Sequence, residues 1–540
     1  MKFFLFILFL FFITISYLIP IHFKPWTTFL SEISVFFGVL FLILSQYKEK
    51  IIVLKVFFPL FIFSFLPLIQ FLMGNVFYLS RALLGFLYLI SFIFVFIITF
   101  NMCKDNNKRE IYFLYFSYFI VFIGGLNFII LIIQWFDFSV SNLVVAEFSG
   151  SRPYGNLAQP NNLAILQVIS LLSLIYLYFK GKISSILFSL FNLLLLFTIV
   201  LTQSRAGGVA LLMSLITLFI LCFRLKINFS KFLLFNLFAY IFISLNLNKF
   251  SIFVKNNFGF LKGETLSSID RELDSNGRID IWIQMYYAII KEPLFGYGWN
   301  QVSLAQSNVI LDYPLKMWVN SSHNIVLDII LWFGLPIGLI IILYFIFLIF
   351  KIFIALNCTE GFFSFSMFIV ILVHSMLEYP LYYSYFLITT AFIFGVCASS
   401  LNHTKIFSIR YSYLILYSII LLIGLILVWK DYLLYIEENQ KAIDHSLLNS
   451  PSQFMQTRPL YILDEFDFRI YWISLDVRKK LTSNEINEIQ KMVLLYPTKF
   501  DLMKFAKILA HNGYVEEANF QLKKYNLMYG TNYTVDILFR

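Results

Sequence analysis

Charged side chains are scarce in this sequence. Only 13% of its 540 residues are Asp, Glu, Lys or Arg, whereas 60% are hydrophobic. Because soluble domains carry about 25% charged residues, this composition excludes a soluble globular protein and indicates a polytopic membrane protein. The net charge of +10 does not indicate nucleic-acid binding, because the basic residues stand in short segments between apolar runs.

Cysteine is equally rare, and several catalytic signatures are missing. The four cysteines all fall in or near segments predicted to be cytoplasmic, and no two form a Cys-x-x-Cys pair. This excludes an external disulfide framework and a cysteine-based zinc site. The sequence also lacks G-x-S-x-G, H-E-x-x-H, Walker A and D-x-D motifs. We therefore expect no metal and no cofactor.

Long apolar runs dominate what is present. A membrane-spanning helix needs about 20 apolar residues. Thirteen segments approach this length, namely 3–20, 27–45, 51–73, 82–100, 111–136, 156–179, 183–201, 206–223, 232–248, 323–350, 362–377, 381–399 and 411–429. The first has no small-residue cleavage site after it, which favours an uncleaved span over a signal peptide. We predict an all-α integral membrane protein with about 13 transmembrane helices.

Basic residues orient these helices. With the N-terminus inside, the predicted cytoplasmic segments carry fifteen Lys and Arg residues, whereas the short external loops carry only Lys24, Arg81, Arg152 and Arg205. Cytoplasmic loops are enriched in positive charge. The long loop 249–322 and the tail from residue 430 therefore both lie outside in this topology.

Three regions are predicted along the chain: an N-terminal membrane region 1–150, a core 151–429 that includes the loop 249–322, and a helical C-terminal domain 430–540. Ile281, Trp282 and Met285 recur at helical spacing within the loop, which predicts an amphipathic helix. In the tail, two helical patterns flank Gly513, as in a tetratricopeptide-like hairpin. This hairpin fits either partner docking or a helical cap.

The external face collects positive residues that the topology rule does not explain. Four arginines and two histidines share it: Arg81, Arg152, Arg205, Arg278, His323 and His374. Each one alone fits a loop charge or a helix cap. As a group they favour a phosphate or pyrophosphate ligand, because guanidinium gives planar, bidentate and permanently charged contacts. A lipid-linked pyrophosphate would place its head group at this depth.

Amides and aromatic residues accompany these charges. "YGNLAQPNNLA" places Asn156, Gln159, Asn161 and Asn162 near a helix start, where amides bind sugar hydroxyls or cap the helix. We favour capping for Asn161 or Asn162 and leave both roles open for Asn156 and Gln159.

A second polar stretch, "HSMLEYPLYY", contains His374 and supplies three further candidates: Glu378, Tyr379 and Tyr382. His374 and Glu378 are candidates for orienting an acceptor or tuning His323, although a buried structural histidine fits His374 slightly better. Tyr379 and Tyr382 fit either sugar stacking or the aromatic belt of the membrane interface.

Several stretches together resemble a known family. "IPIHFKPWTTFLSE", "SRPYGNLAQPNNLA", "TQSRAGG", "GRIDIW" and "SSHN…FGLPIG" are similar to motifs of the bacterial protein O-oligosaccharyltransferases of pilin-glycosylation type, within the O-antigen ligase and polymerase superfamily. The most specific of these is "SRPYGNLAQPNNLA", in which Asn162 stands where many relatives have histidine.

The resemblance implies a reaction and a location. An oligosaccharide would pass from undecaprenyl pyrophosphate to a Ser or Thr hydroxyl of pilin or another periplasmic protein, at the periplasmic face of the bacterial inner membrane and without metal. His323 would be the general base, and Arg205 and Arg278 would hold the pyrophosphate, with Arg81 and Arg152 as weaker candidates. Attack opposite the leaving group would invert the anomeric centre.

Three alternatives remain. An O-antigen ligase would use lipid A core as acceptor, and an O-antigen polymerase would extend a glycan. A transporter of lipid or solute is disfavoured, because the sequence shows no internal repeat and its charges cluster at one face.

Overall fold

The computed structural model describes residues 1–22, 24–148, 150–225, 230–258, 272–401, 406–447 and 458–539, and this part of the chain is helical apart from one short sheet. The helices are α1 (Lys2–Leu18), α2 (Phe29–Leu44), α3 (Phe58–Ser64), α4 (Leu66–Leu72), α5 (Leu79–Met102), α6 (Asn106–Trp135), α7 (Pro160–Phe179), α8 (Ser185–Leu201), α9 (Arg205–Leu225), α10 (Ser230–Phe258), α11 (Glu272–Lys291), α12 (Val302–Val309), α13 (Ile325–Ala355), α14 (Thr359–Ser375), α15 (Ser384–Ala398), α16 (Tyr411–Leu447), α17 (Asp464–Ser474), α18 (Ser483–Leu495), α19 (Lys499–His511) and α20 (Val515–Tyr529). Three short 3₁₀ turns cover Lys55–Phe57, Pro380–Tyr382 and Val535–Phe539.

Among the described residues, thirteen apolar helical segments account for the hydrophobic runs. Seven are long and apolar enough to cross a membrane: Lys55–Leu72, Leu79–Met102, Asn106–Trp135, Pro160–Phe179, Phe232–Asn257, Ile325–Ala355 and Tyr411–Ser446. Six shorter ones are Lys2–Leu18, Phe29–Leu44, Ser185–Leu201, Arg205–Ile220, Thr359–Ser375 and Ser384–Ala398. Each predicted span coincides with one of these segments. The chain is thus a helical, multi-pass membrane protein, while the count of thirteen spans stays a prediction.

The chain folds into two compact units. The first comprises Met1–Pro59, Ile90–Glu272 and Ile346–Leu421. In it α7 is buried along most of its length and packs against α6, α8, α9 and α14. Gly207 permits the close approach of α9, since a Cβ at this position would lie 2.6 Å from the Ala164 Cβ of α7. Helix packing therefore explains this glycine of "QSRAGG".

A two-stranded sheet in the first unit differs from prediction. Ile51–Leu54 forms a strand, β1, instead of beginning a membrane helix at residue 51, and pairs antiparallel with β2 (Ile406–Ile409). Consecutive β-branched residues favour this extended conformation. The Asn101 amide bonds both the N–H and the C=O of Ile52 at 2.8 Å, which satisfies backbone groups of the strand.

The second unit comprises Leu60–Leu89, Leu273–Phe345 and Leu422–Arg540. The predicted helix–Gly513–helix pair is present as α19 and α20, which pack together, and Gly513 has a φ of 87°. The Asp501 carboxylate on α19 accepts hydrogen bonds from Arg469 (2.5 Å) and the Trp472 indole (2.7 Å) of α17. The tetratricopeptide likeness and the three sequence regions, 1–150, 151–429 and 430–540, stay predictions.

Candidate active site

His323 lies in a tight turn just before α13. Its φ of 56° is left-handed, a conformation that residues other than glycine rarely adopt and that often marks functional sites. The His323 N–H donates to Ser321 Oγ at 3.1 Å, and Asp328 accepts from the Ser321 hydroxyl at 2.9 Å and the Ser322 N–H at 2.8 Å. Because Asp328 is buried in the first turn of α13, it ties the turn to the helix.

Asn324 supplies the cap of α13. Its side-chain oxygen accepts from the N–H groups of Val326 at 3.0 Å and Leu327 at 3.4 Å. Capping of this kind satisfies backbone donors that the first turn of a helix leaves without partners. The cap is therefore assigned to the neighbour of His323, and the half-buried histidine sits at the amino end of the helix.

The predicted amphipathic helix of the long loop is present as α11 and adjoins this turn. The Trp282 indole donates to the carbonyl oxygen of Ser322 at 3.0 Å, directly before His323. Arg278 precedes Trp282 by one helical turn and so occupies the same side of α11. The second unit thus brings the helix that carries Arg278 against the turn that carries His323.

The helix that follows His323 is broken, whereas the sequence predicts one continuous span over 323–350. Gly334 has φ 74° and ψ 170°, and Pro336 follows it. At the break, the Tyr297 N–H donates to the Leu331 carbonyl at 2.7 Å and the Leu335 N–H donates to the Pro293 carbonyl at 2.7 Å. Non-helical backbone inside a membrane protein needs such internal partners. A short half-helix, 325–333, therefore supports the His323 turn.

Arg81 has a structural partner in the second unit. Its guanidinium forms a two-pronged ion pair with Glu465, with Nε donating at 3.2 Å and Nη2 at 2.5 Å, and it also donates to the Asn300 carbonyl. Both side chains are nearly buried. Arg81 is therefore left out of the donor-binding residues proposed below.

Arg205 begins α9 in the first unit and is exposed. The preceding residue, Ser204, is buried and accepts a hydrogen bond from the Gly207 N–H at 3.0 Å, which caps the helix. The Ser204 hydroxyl in turn donates to Asn161 Oδ1 at 2.8 Å. The Arg205 turn is therefore anchored to the start of α7.

Arg152 lines a pocket in the same unit. Its Nε donates to the Thr202 carbonyl at 3.0 Å, and its Nη2 donates to Asn161 Oδ1 at 3.1 Å. The pocket has a volume of about 700 Å³ and is lined by both apolar and polar residues, the polar ones including His22, Glu147, Arg152, Gln159 and Asn161. Sequence reasoning did not single out Glu147 and quoted His22 only as part of a family motif.

The amides of "YGNLAQPNNLA" have distinct surroundings. The Asn156 side chain is buried and donates to the carbonyls of Leu18 (2.7 Å) and Val144 (2.9 Å) while accepting from the Ala146 N–H (2.9 Å). It holds the loop in shape. The capping interpretation of Asn161 or Asn162 is wrong, because α7 has Gln159 at its N-cap and Pro160 after it, with no side-chain cap bond.

Glu378 connects the loop after α14 to the start of α7 in the first unit. The Glu378 carboxylate is buried and accepts from Asn161 Nδ2 at 2.8 Å and Gln159 Nε2 at 3.4 Å. His374, one turn earlier, is fully buried, and its role stays a prediction. The rings of Tyr379 and Tyr382 lie 5.6 Å apart, and burial, with the Glu378 charge, raises the pKa of Tyr379.

The predicted site residues fall in both units. Arg152, Asn156, Gln159, Arg205, His374, Glu378, Tyr379 and Tyr382 belong to the first, and Arg81, Arg278 and His323 belong to the second. Sequence reasoning missed Asp328, whose signal was a lone carboxylate in the apolar run "NIVLDIIL". In the described part of the chain, no three His, Cys, Asp or Glu side chains are grouped to hold a metal ion.

Comparisons with known proteins now identify the chain's relatives. A family described as O-antigen ligase matches residues 190–343, and one described as the C-terminal part of a virulence-factor membrane-bound polymerase matches residues 363–535. The general O-oligosaccharyltransferase of Acinetobacter baylyi is 30% identical over 542 residues, covering 100% of this chain and 94% of that protein. The ComP-specific O-oligosaccharyltransferase of the same organism is 25% identical over 506 residues, covering 93% of this chain and 90% of that protein.

The helical membrane architecture and these full-length matches define a membrane enzyme of the glycosyltransferase class. Within that class, the chain belongs to the O-oligosaccharyltransferases of the O-antigen ligase superfamily.

Proposed function

We propose that this enzyme transfers an oligosaccharide en bloc from undecaprenyl pyrophosphate to Ser or Thr hydroxyls of pilin or other periplasmic proteins. The reaction would take place at the periplasmic face of the bacterial inner membrane. Full-length similarity to two O-oligosaccharyltransferases supports transfer to protein. The observation that carries the proposal is the hydrogen-bonded turn, with a left-handed His323, at the start of a half-helix.

His323 is proposed as the general base. The imidazole removes the proton from the acceptor hydroxyl as its oxygen attacks the anomeric carbon. The bond between that carbon and the pyrophosphate oxygen breaks, and undecaprenyl pyrophosphate leaves with the electron pair. Attack from the opposite face inverts the anomeric centre. A positioned base of this kind contributes about 10²–10⁴-fold in rate.

Arginines are proposed to neutralise the leaving group. Arg278 stands on α11 one turn before Trp282, which bonds to the His323 turn, and Arg205 stands exposed at the start of α9. Arg152 lines the pocket of the first unit. Fixed guanidinium groups stabilise developing negative charge without a divalent ion. We assign these residues to one reaction on the basis of the family resemblance.

The pocket that Arg152 lines is proposed to receive sugar residues of the donor. Its volume of about 700 Å³ falls within the range of ligand pockets. Gln159 contributes an amide to it. Asn156 shapes the adjoining loop, and Tyr379 and Tyr382 provide aromatic rings on the segment that carries Glu378. His374 is proposed as a structural residue of this region.

The acceptor is what an experiment must decide, because the O-antigen ligase match also fits transfer to lipid A core. The wild-type gene is deleted in its host, and periplasmic proteins and lipopolysaccharide are both examined. We expect intact-protein mass spectrometry to lose the glycan mass from one or more periplasmic proteins, while long-chain lipopolysaccharide persists. Loss of long-chain lipopolysaccharide with unchanged glycoproteins would overturn the proposal in favour of a ligase.

A further inference from the structure

Three segments that are distant in sequence meet at Asn161. Its Nδ2 donates to Glu378 at 2.8 Å, and its Oδ1 accepts from Arg152 Nη2 at 3.1 Å and from the Ser204 hydroxyl at 2.8 Å. All of these residues belong to the first unit. Asn161 therefore links the loop of Arg152, the turn before Arg205 and the loop after α14.

This network has a direction, set by Glu378 at one end and by the Arg152 guanidinium, which can only donate, at the other. An asparagine side chain has a donor end and an acceptor end, whereas an ionised carboxylate only accepts. The Asn161 amide nitrogen, Nδ2, must therefore face Glu378, which turns Oδ1 toward Arg152 and Ser204. The reverse orientation would place Oδ1 against the carboxylate, so that two acceptors meet. It would also place Nδ2 against the guanidinium, so that two donors meet.

The orientation of Asn161 also fixes hydrogen bonds in the segments that carry Arg205 and Arg152. Because the Ser204 hydroxyl donates to Asn161, its oxygen accepts from the Gly207 N–H at 3.0 Å and so caps α9, whose first residue is Arg205. Arg152 is held at one side by Asn161 and at the other by the Thr202 carbonyl at 3.0 Å. Glu378 itself is only 4% exposed. Its carboxylate is buried against the amides of Asn161 and Gln159.

We propose that Glu378 is a positioning residue that, by fixing the orientation of Asn161, sets the geometry of Arg152 and of the Arg205 turn. The consequence for catalysis rests on the proposed function, in which these arginines bind the pyrophosphate donor. Glu378 takes no part in proton transfer and does not touch the substrate. What the network requires is one hydrogen-bond donor and one acceptor, facing each other at positions 161 and 378. A different pair of side chains can also supply them.

The test exchanges the hydrogen-bond donor and acceptor between Asn161 and Glu378. Asn161→Asp places two carboxylates face to face, and we expect the KM for lipid-linked oligosaccharide to rise about tenfold or more, since hydrogen bonds to charged groups are lost. Glu378→Gln keeps an acceptor oxygen for Asn161 and should change this KM less than about threefold. In the double variant, which combines Asn161→Asp with Glu378→Gln, the introduced glutamine donates its amine hydrogen to the introduced aspartate. That aspartate still accepts from Arg152 and Ser204, so the KM should return to within about threefold of wild type.

The matched control is Asn484→Asp, the same chemical change at an exposed position of α18, which should leave the donor KM unchanged. Inactivity of Glu378→Gln, or a double variant no better than Asn161→Asp, would overturn the inference, because a substrate-contacting carboxylate cannot be rescued in this way. If the wild-type enzyme transfers no glycan, the proposed function fails instead. In that case the melting temperature tests whether the hydrogen-bond network exists. Asn161→Asp must lower the melting temperature, and the double variant must restore it.

Discussion

At the scale of single residues, neighbouring side chains hold the turn that carries His323. Asp328 accepts hydrogen bonds from Ser321 and Ser322, the two residues before His323. The Trp282 indole donates to the Ser322 carbonyl, and Asn324 caps the helix that follows His323. The left-handed backbone of His323 persists because these contacts surround it. Rigid support of this kind is what positions a base within reach of an acceptor proton.

Replacing Arg278 by Lys tests whether a planar guanidinium is needed. Lysine keeps the charge but loses the bidentate fork, so we expect the KM for lipid-linked oligosaccharide to rise about tenfold in a transfer assay while the melting temperature stays unchanged.

Arg81→Lys provides the contrasting case, because it alters the ion pair with Glu465. This variant should lower the melting temperature and leave the donor KM of the folded enzyme unchanged. A higher donor KM for Arg81→Lys, together with a lower melting temperature for Arg278→Lys, would contradict the roles given to both residues.

Sequence patterns identified these residues only in part. Arg205, Arg278 and His323 stood out because positive charge on the external face opposes the topology rule. Asn161, by contrast, fitted a helix cap, since spacing alone does not reveal a partner 217 positions away. The same charge pattern marked Arg81, and only the structure supplies its ion pair with Glu465.

At the scale of elements, the break in α13 separates this helix from a simple membrane span. The segment 293–298 lies against the break, and its backbone bonds to Leu331, Trp332 and Leu335. Broken helices also occur in transporters, but family membership assigns this one to an enzyme. The break shortens the helix that follows His323 to the half-helix 325–333.

Gly334→Ala tests the importance of this break. A Cβ at this position would lie 2.2 Å from the Leu294 oxygen, and φ is 74°. We expect a destabilisation of at least about 2 kcal/mol, seen as a lower melting temperature, together with a loss of transfer activity.

The control is Gly424→Ala in α16, where a Cβ would meet no atom within 4 Å. This variant should behave as wild type. Equal behaviour of the two variants would show that the conformation at Gly334 is not required.

The elements themselves were largely predictable, and the irregular ones were not. Thirteen apolar runs matched thirteen helical segments because hydrophobicity alone identifies them. The strand pair Ile51–Leu54 and Ile406–Ile409 depends on two segments meeting across about 350 residues, which no local period encodes. The break at Gly334 was not predicted, because the run 323–350 is apolar along most of its length, and the loop that satisfies the broken backbone becomes visible only in the structure.

At the scale of the whole molecule, folding buries a positive charge in the second unit. Lys524 of α20 is 7% exposed, and its ammonium donates to Ser307 Oγ of α12 at 3.1 Å. Burial, together with the charge of Lys291, lowers the pKa of Lys524 to about 8 from an ordinary value of 10.5.

This shift predicts how stability depends on pH. Below pH 8 both folded and unfolded chains hold the proton, and the folded state bears the full cost of the buried charge. Between pH 8 and 10.5 the unfolded chain binds more protons, so stability rises with pH. Lys524→Met removes this cost, and we expect it to raise the melting temperature at pH 7 and to flatten the rise above pH 8.

The control for that variant is Lys491→Met, at a surface position where the lysine is 42% exposed. It should leave the pH dependence of the melting temperature as in wild type. A Lys524→Met protein that melts lower than wild type at pH 7 would show that the ammonium stabilises the fold instead.

The proposed mechanism depends on His323, and one substitution examines that proposal directly. Asparagine tolerates the left-handed backbone that His323 adopts, so His323→Asn preserves the turn while removing the base. Purified wild-type and variant enzymes are supplied with lipid-linked oligosaccharide and an acceptor protein, and product is measured by intact mass spectrometry. We predict an unchanged melting temperature and a transfer rate about 10²–10⁴-fold lower. A variant that transfers glycan at the wild-type rate would contradict the account.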